Sequence, residues 1–249
     1  SLEDGLAMCR AASLSGAALA VNWPVAWFGS FRKARELTAA GAVGRPLRCH
    51  YRSPATTGPF SYGQQEELPQ HWWYQHSRGG GSIMDYAGYG CLLATWFLGG
   101  MAKQVSGIRK NFLVPFSDVE DYSAFLLDFG DSVGFLEGSW STLNSGEIPS
   151  GPVIYGTEGA IAADRHSSVV RVYRGASHSF TQPDEVYDTV SEDNIGRNFL
   201  DHLEKGTPLF ELIEPAFNLK VQAALDAGIR SCESGRAEPV QNPFEEDFT

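Results

Sequence analysis

Long hydrophobic runs and an excess of positive charge are both missing from this 249-residue sequence. No stretch of about eighteen consecutive apolar residues occurs, so no membrane-spanning helix is expected. Lysine and arginine total 19 against 30 aspartate and glutamate residues, which gives a formal net charge of −11. Because phosphate binding requires clustered Lys and Arg, this balance argues against nucleic acid and anionic membranes as partners.

Cysteine is sparse, and its spacing contains no C-x-x-C pair. The four cysteines are Cys9, Cys49, Cys91 and Cys232. This pattern gives no support for a zinc ribbon or a thioredoxin-like redox motif. Scattered cysteines in a chain of this length are typical of buried thiols in an intracellular protein, so a cytoplasmic location is expected.

The first part of the chain carries helical periodicity interrupted by glycine. We expect helices over Ser1–Ala12, Phe31–Ala40 and Ser82–Leu98, and short strands over Ala17–Val21 and Leu47–Tyr51. A helix followed by a strand is half of a repeating unit of an α/β sheet. Since the sequence also starts without Met, we expect it to begin inside such a domain.

From about residue 105 the apolar period changes to two, with turn residues between the runs. Six strands are predicted: Val105–Phe112, Tyr122–Phe129, Val133–Ser141, Val153–Tyr155, Ala160–Ala163 and Val169–Arg174. Closing helices are expected over Asn194–Lys205 and Ile213–Ser234, followed by a frayed acidic tail. The predicted class is α+β, with a largely antiparallel open sheet of about six strands and helices on one face.

Asp85 and Tyr89 form the main candidate for chemistry. Four residues apart on a helix, both side chains would lie on one face, one turn apart. A free Tyr has a pKa of about 10, so a nearby cation would have to lower it before the phenol could act as a base. The Asp could orient the phenol or relay its proton. The alternative is an ordinary cap followed by a core aromatic.

Three glycines, Gly79–Gly81, precede this pair and leave the helix start without side chains. A polar ligand could therefore approach the backbone N–H groups, although the glycines could equally form only a turn. They are not a dinucleotide fingerprint, since no strand–G-x-G-x-x-G–helix pattern occurs in the chain. The long loop predicted over Ser53–Gln70 is of a length that is usually functional or mobile.

Further candidate residues lie before the glycines in the sequence. Asn22 ends a predicted strand, where an ordinary turn residue is the alternative. Trp72 and Trp73 suit a polyol pocket because aromatic rings stack on sugar C–H faces; a hydrophobic cluster under the long loop is the alternative. His71 and His76 are five residues apart, which is not the helical spacing of metal ligands, so no metal site is predicted.

Two acidic pairs and a set of aromatics are expected to be structural. Glu120–Asp121 and Asp184–Glu185 are predicted to be solvated turns. The aromatic residues are predicted to pack on the sheet rather than to form a cofactor site, and they are Tyr122, Phe125, Phe129, Phe135 and Trp140.

The block Gly79-Gly80-Gly81-x-x-x-Asp85-x-x-x-Tyr89-Gly90 resembles the central motif of the Gfo/Idh/MocA oxidoreductase family (glucose–fructose oxidoreductase, inositol dehydrogenase, MocA). Val21–Pro24 resembles the end of that family's dinucleotide-binding domain, and Tyr155–Gly159 resembles one of its hairpins. Where many members have His, this chain has Tyr89, which places it nearer a branch whose Tyr is regarded as the acid/base. Ala87 replaces a commonly found Gly.

The resemblance implies an NAD(P)-dependent oxidation of the CH–OH group of a sugar, polyol or related diol. Asp85 and Tyr89 would be catalytic; Asn22, Trp72, Trp73 and Gly80 would bind substrate; Asn22 and Trp23 would touch NAD or NADP. The main nucleotide site and a lysine beside Tyr89 would lie before Ser1, so the chain alone is expected to be inactive.

It also implies three segments: residues 1–22 as the last helix and strand of a truncated Rossmann domain, 23–240 as a substrate-binding and dimerisation domain, and 241–249 as a tail. The open sheet face would pair with a second subunit to form a homo-oligomer. Two other functions stay open: a non-catalytic ligand-binding or dimerisation module that has lost its nucleotide domain, and a hydrolase using Asp85 and His71.

Overall fold

The computed structural model describes residues 1–54, 66–142, 150–165, 167–175, 182–191 and 193–245, and every structural statement below refers to these residues. Most of the predicted Ser53–Gln70 loop lies outside them. At its edges, Ser53 still belongs to a strand and Leu68–Gln70 forms a 3₁₀ turn.

Five α-helices are present in the described part of the chain. They are α1 (Leu2–Ser15), α2 (Gly29–Ala39), α3 (Gly88–Leu98), α4 (Ile195–Lys205) and α5 (Pro215–Ser234). A π-helical turn, Ile83–Ala87, leads directly into α3. The predicted helix over Ser82–Leu98 is therefore composite, and Asp85 lies in its π-helical part rather than in an α-helix.

A nine-stranded sheet forms the second layer among these residues, in the order β8-β7-β6-β5-β1-β4-β3-β2-β9. β1 and β4 pair in parallel and the other neighbours are antiparallel. The strands are β1 (Pro46–Pro54), β2 (Gln104–Lys110), β3 (Tyr122–Asp128), β4 (Val133–Ser139), β5 (Gly151–Gly156), β6 (Gly159–Ala163), β7 (Val169–Arg174), β8 (Glu185–Asp188) and β9 (Glu238–Pro239). The predicted α+β class is confirmed.

The predicted sheet has three strands fewer, because β1, predicted as Leu47–Tyr51, was assigned to the first part of the chain and because the short edge strands β8 and β9 carry little periodicity. β8 has four residues and β9 only two, and each pairs with a longer neighbour. The prediction of a solvated turn was wrong for Glu185, which begins β8 and forms an ion pair of 2.5 Å with Arg174. The tail after Gly235 is likewise not frayed throughout, since β9 lies within it.

The first helix begins as its sequence predicts. The Ser1 hydroxyl accepts a hydrogen bond from the Asp4 N–H in a capping box, and Leu2 packs against α5. The strand expected over Ala17–Val21 was wrong. The Val21 N–H donates to the Ile213 carbonyl at 3.0 Å, and no described strand runs beside the segment to pair with it.

One face of the sheet is covered by helices. α5 packs on β2, α3 on β1 and β4, and α2 on β6 and β7. α3 is buried on nearly every side because it lies between the sheet and α5. Phe125, one of the predicted sheet-packing aromatics, is buried beneath these helices.

The other face of the sheet is open in this chain. Ile108, Leu126 and Phe135 are 57%, 47% and 44% exposed on three neighbouring strands. Leu126 pairs directly with Phe135, and the Phe135 ring lies 5.5 Å from that of His50 on β1. Leu126 and Phe135 thus form an exposed apolar patch, and Ile108 lies on the same face of the neighbouring strand β2.

No described helix is both long and apolar enough to cross a membrane. All four cysteines are free thiols; Cys49 and Cys91 are buried and Cys9 and Cys232 are partly exposed.

Gly90 lets α3 approach the central sheet, because a Cβ there would lie 2.6 Å from the Cβ of Leu136. We predict that Gly90→Ala lowers the free energy of unfolding by about 1–3 kcal/mol through overpacking, measured by urea titration. Gly196→Ala, in the exposed first turn of α4, is the control: its Cβ would meet only the exposed Asn194 side chain, at 3.2 Å, so it should destabilise the chain much less than Gly90→Ala. Equal stability of Gly90→Ala and wild type would contradict this packing.

Candidate active site

The site residues predicted from sequence meet in one cavity of about 410 Å³. Its lining includes every member of that set: Asn22, Trp23, Trp72, Trp73, Gly80, Asp85 and Tyr89. Val21, Gly79, Gly81 and Met84 complete the wall. Segments that are distant in sequence therefore converge: the chain after α1, the tryptophan–glycine loop, and the π-helical turn with α3.

The glycines are required by how tightly the loop folds back. At Gly80 a Cβ would lie 2.3 Å from the carbonyl oxygen of Trp73, and at Gly81 one would lie 2.4 Å from the Glu120 carboxylate. Gly81 also has φ of 112°, which side chains disfavour. The loop can hold this shape only without side chains at these two positions.

The expectation that a ligand could bind the backbone N–H groups of the glycine loop was wrong. Each of these groups already donates within the chain. The N–H groups of Gly79, Gly80 and Gly81 donate to carbonyls of His76, Gln75 and Trp73 at 3.0–3.1 Å, and those of Ser82 and Ile83 donate to the carbonyl and carboxylate of Glu120 at 3.1 and 2.8 Å.

Glu120 and Asp121 are buried, so the prediction of a solvated turn was wrong for both. Glu120 is 8% exposed, and burial raises the pKa of its carboxyl. The Asp121 carboxylate accepts the N–H groups of Phe112 and Leu113 at 2.9 and 2.5 Å. Both acidic side chains replace water by backbone donors, which is the usual condition for burying a carboxylate.

Asp85 is held by Trp140 rather than by Tyr89. Its Oδ2 accepts a 2.9 Å hydrogen bond from the indole Nε1 of Trp140, and no hydrogen bond joins Asp85 to Tyr89 in the described part of the chain. Burial raises the pKa of Asp85, while the Trp140 bond and the charge of Arg165 lower it. Trp140 had been predicted only as sheet packing, and its contact with Asp85 was missed.

Tyr89 packs edge-on against Trp23, with ring centroids 5.1 Å apart. Burial raises the pKa of the Tyr89 phenol, the Asp85 carboxylate raises it further, and the Arg165 guanidinium lowers it. Arg165 follows β6, 76 positions after Tyr89, and no sequence motif marks it. Among the described residues, Arg165 is the cation whose charge lowers the pKa of Tyr89.

Asn22 and Trp23 are fixed by neighbouring polar groups. The Asn22 side-chain oxygen accepts from the Trp27 indole at 3.2 Å, and the Trp23 indole donates to Asn218 at 2.5 Å. These two hydrogen bonds hold both residues in the wall of the cavity.

Both tryptophans line the cavity, and Trp73 also packs against buried residues. Trp73 packs against a buried cluster of Leu68, Tyr74, Val114, Val119 and Trp140. Trp72 is 48% exposed, and its ring lies 5.3 Å from that of Trp73. His71 does not line the cavity that holds Asp85, so the geometry gives no support to a hydrolase using that pair.

Residues 31–162 match the family model described as the GFO/IDH/MocA C-terminal domain. The chain belongs to the Gfo/Idh/MocA family. The matched region spans β1 to β6 and includes the glycine loop, Asp85, Tyr89 and Trp140. No curated protein matches the sequence.

Solved structures of Gfo/Idh/MocA-type oxidoreductases share the fold. An NAD-binding oxidoreductase from Klebsiella pneumoniae superposes with a TM-score of 0.77 at 19% identity, over 96% of this chain and 70% of that one. An aldose–aldose oxidoreductase from Caulobacter crescentus, complexed with glycerol, superposes with a TM-score of 0.76 at 18% identity, over 96% of this chain and 69% of that one. The WlbA dehydrogenase from Bordetella pertussis, in complex with NADH and UDP-GlcNAcA, superposes with a TM-score of 0.73 at 16% identity, over 97% of this chain and 69% of that one.

The family match confirms the resemblance drawn from the glycine-to-Tyr89 block, and residues 31–162 correspond to the C-terminal domain of that oxidoreductase family. At these identities the solved structures establish the fold alone. The roles of the individual residues stay predictions, as does the place of the chain near the Tyr branch of the Gfo/Idh/MocA family.

The Trp140–Asp85 bond can be tested on this chain alone. Trp140→Phe removes the donor that stabilises the ionised carboxylate, so we predict a further rise in the Asp85 pKa, measured by NMR titration of the side-chain carboxyl carbon. Trp96→Phe removes a similar indole–carboxylate bond, to Glu211, outside the cavity and should leave the Asp85 pKa unchanged. An unchanged Asp85 pKa in Trp140→Phe would show that the bond does not form.

Proposed function

We propose that the chain is the substrate-side domain of an NAD(P)-dependent oxidoreductase that acts on the CH–OH group of a sugar, polyol or related diol. The observation that carries this proposal is the convergence of Asn22, Trp72, Trp73, Asp85 and Tyr89 on one cavity, in a chain of the Gfo/Idh/MocA family. Aromatic walls with a few polar groups are typical of small-molecule sites.

The chain's own residues fit only one end of a dinucleotide. It has no G-x-G-x-x-G turn between a strand and a helix, so nothing here would cradle a pyrophosphate. Asn22 and Trp23 lie at the cavity, where an amide and an aromatic ring suit a nicotinamide. When bound, the nucleotide would supply the acceptor for the substrate's hydride. We propose that residues 1–22 adjoin its domain, and that residues 23–240 form the substrate-binding and dimerisation domain.

Tyr89 is the proposed proton acceptor. Its raised pKa keeps the phenol protonated near neutral pH, which suits proton donation in the reducing direction. In the oxidising direction a positive charge must lower that pKa. Arg165 acts in the required direction, and a lysine outside this chain would add to it. Asp85, held through one oxygen by Trp140, can orient the substrate hydroxyl with the other.

A non-catalytic module is the alternative function, since this cavity could bind a ligand without converting it. The reading frame upstream of this chain distinguishes the enzyme from the non-catalytic module. An in-frame G-x-G-x-x-G followed by Glu-Lys-Pro supports the enzyme, and the absence of both supports the binding module.

Tyr89→Phe in the full-length gene product should reduce turnover by about 10²–10⁴-fold, the usual contribution of a general acid or base, and leave nucleotide affinity unchanged. Turnover is measured over a panel of sugars and polyols with both nucleotides. Tyr86→Phe is the matched control, because Tyr86 is a neighbouring tyrosine that does not line the cavity. Turnover close to wild type in Tyr89→Phe would refute the assignment of Tyr89.

The open sheet face is proposed to join two copies of the chain, because exposed apolar side chains grouped on one face, such as Ile108, Leu126 and Phe135, are costly to leave in water. Phe135→Glu should convert the dimer to monomer in sedimentation equilibrium. Leu14→Glu, an equally apolar exposed position on α1, is the control and should leave the dimer intact. A wild-type chain that stays monomeric at all concentrations would exclude this interface.

A further inference from the structure

Two buried hydroxyl groups on β1 have no hydrogen-bond partner in the described part of the chain. They belong to Tyr51 and Ser53, whose side chains are 2% and 0% exposed. Residues two apart on a strand face the same side, so both side chains point to the sheet face that α3 covers. Because burying an unpaired polar group is unfavourable, such a group in a native protein calls for a bound water or a functional role.

Strand register places Tyr51 beneath the start of α3, where Tyr89 lies. Tyr51 pairs with Leu136 on β4, and this leucine is the residue that α3 touches at Gly90. The Tyr89 ring packs on the buried cluster that contains Tyr51. The unpaired Tyr51 phenol is therefore on the inner side of Tyr89, away from the cavity that Tyr89 lines.

Ser53 lies beneath the π-helical turn that precedes α3. It pairs with Gly138, where a Cβ would lie 2.9 Å from the Ala87 backbone nitrogen, so the turn rests directly on β4 beside Ser53. Burial raises the pKa of the Tyr51 phenol, and the nearby Ser53 hydroxyl lowers it. The two hydroxyls thus share one buried place between β1 and the segment that carries Tyr89.

Arg165 supplies the positive charge closest to this place among the described residues. Its N–H donates to the Ser150 carbonyl at 3.2 Å, directly before β5, the strand that pairs with β1. Burial raises the pKa of both the Tyr51 and the Tyr89 phenols, and the Arg165 charge lowers both. The Asp85 carboxylate opposes Arg165 at Tyr89. The two phenols therefore lie within the range of the same guanidinium.

We infer that the hydroxyls of Tyr51 and Ser53 bind one buried water behind Tyr89, and that this water donates a hydrogen bond to the Tyr89 phenol when it is ionised. A buried water typically makes about three hydrogen bonds, which these three side chains would provide. A donor that faces a phenolate favours its charged form. Tyr51 and Ser53 are then positioning residues, and the inference rests on the proposed role of Tyr89 in proton transfer.

The titration of Tyr89 tests this donor on the chain itself. Difluorotyrosine is incorporated in place of Tyr89, because fluorination lowers the pKa of a phenol into a range where the chain is folded, and fluorine NMR follows its ionisation. Tyr51→Phe and Ser53→Ala should each lower the ionised fraction at a fixed pH several-fold, since each removes a group that holds the water. Tyr173→Phe removes a phenol from the other face of the sheet, where it alternates with the buried Val172, and should change nothing.

A crystal structure of the wild-type chain shows the water directly. We expect it within about 3.2 Å of the Tyr51 and Ser53 oxygens. A direct contact between these two hydroxyls with no water, or a titration that neither variant changes, would overturn the inference. Each variant removes one oxygen and keeps the rest of the side chain, and Ser53→Ala gives an answer if Tyr51→Phe does not fold.

Turnover separates this inference from the proposed function. In the full-length gene product, Tyr51→Phe should move the rise of kcat with pH in the oxidising direction to higher pH and leave KM unchanged. A normal rate with an unshifted pH profile would contradict the donor role and leave the oxidoreductase proposal standing. A wild-type protein without turnover would count against the proposed function, whereas the water and the titration would still be measured on the chain.

Discussion

The backbone of Gly81 and the carboxylate of Glu120 approach so closely that no side chain fits between them. The cavity depends on this contact. Glu120 accepts the N–H groups of Ser82 and Ile83 through its carbonyl and its carboxylate, and so fixes the point where the loop turns into the π-helical segment. That segment sets the direction of Asp85. Burying the carboxylate is unfavourable, and the Ile83 N–H, which donates to it, offsets part of the cost.

Two opposite charges, the Asp85 carboxylate and the Arg165 guanidinium, determine the electrostatics of the site. Asp85 raises the pKa of Tyr89, whereas Arg165 lowers the pKa of both. Trp140 adds a neutral donor that favours the ionised form of Asp85. Tyr89 is therefore partly buried between one negative and one positive charge. The additional positive charge proposed to come from outside the chain would lower the pKa of Tyr89 further, as its proposed role in proton transfer requires.

Sequence reasoning located the parts of the site that are local. These parts lie within about twenty residues of one another: the tryptophans, the glycines, Asp85 and Tyr89. Their spacing and their resemblance to the family motif identified them as candidate site residues. Asn22 was found by resemblance alone. Trp140 lies 55 residues from Asp85 and Arg165 is farther still, so only the sheet topology brings the Trp140 indole to Asp85 and the Arg165 charge close enough to act on Asp85 and Tyr89. A buried Glu120 could not be told from a solvated one without knowing which backbone donors face it.

Local geometry also limited the fold prediction. The i,i+4 spacing of Asp85 and Tyr89 suggested an α-helix, yet the helix is π-helical up to Ala87, and the two side chains do not bond to each other. The Ala17–Val21 run has strand-like composition but no neighbouring strand to pair with among the described residues. The periodicity of a segment indicates which of its faces is apolar. Whether the segment pairs as a strand depends on other parts of the chain, which must supply a neighbouring strand.

A crystal structure of the full-length gene product with nicotinamide nucleotide and a neutral sugar or polyol tests the central claim most directly. The account predicts that the substrate hydroxyl lies within about 3 Å of the Tyr89 phenol oxygen, with its carbon about 3–3.5 Å from C4 of the nicotinamide, over the Trp72 and Asp85 side of the cavity. A nicotinamide bound away from this cavity, or a substrate hydroxyl facing away from Tyr89, would contradict it.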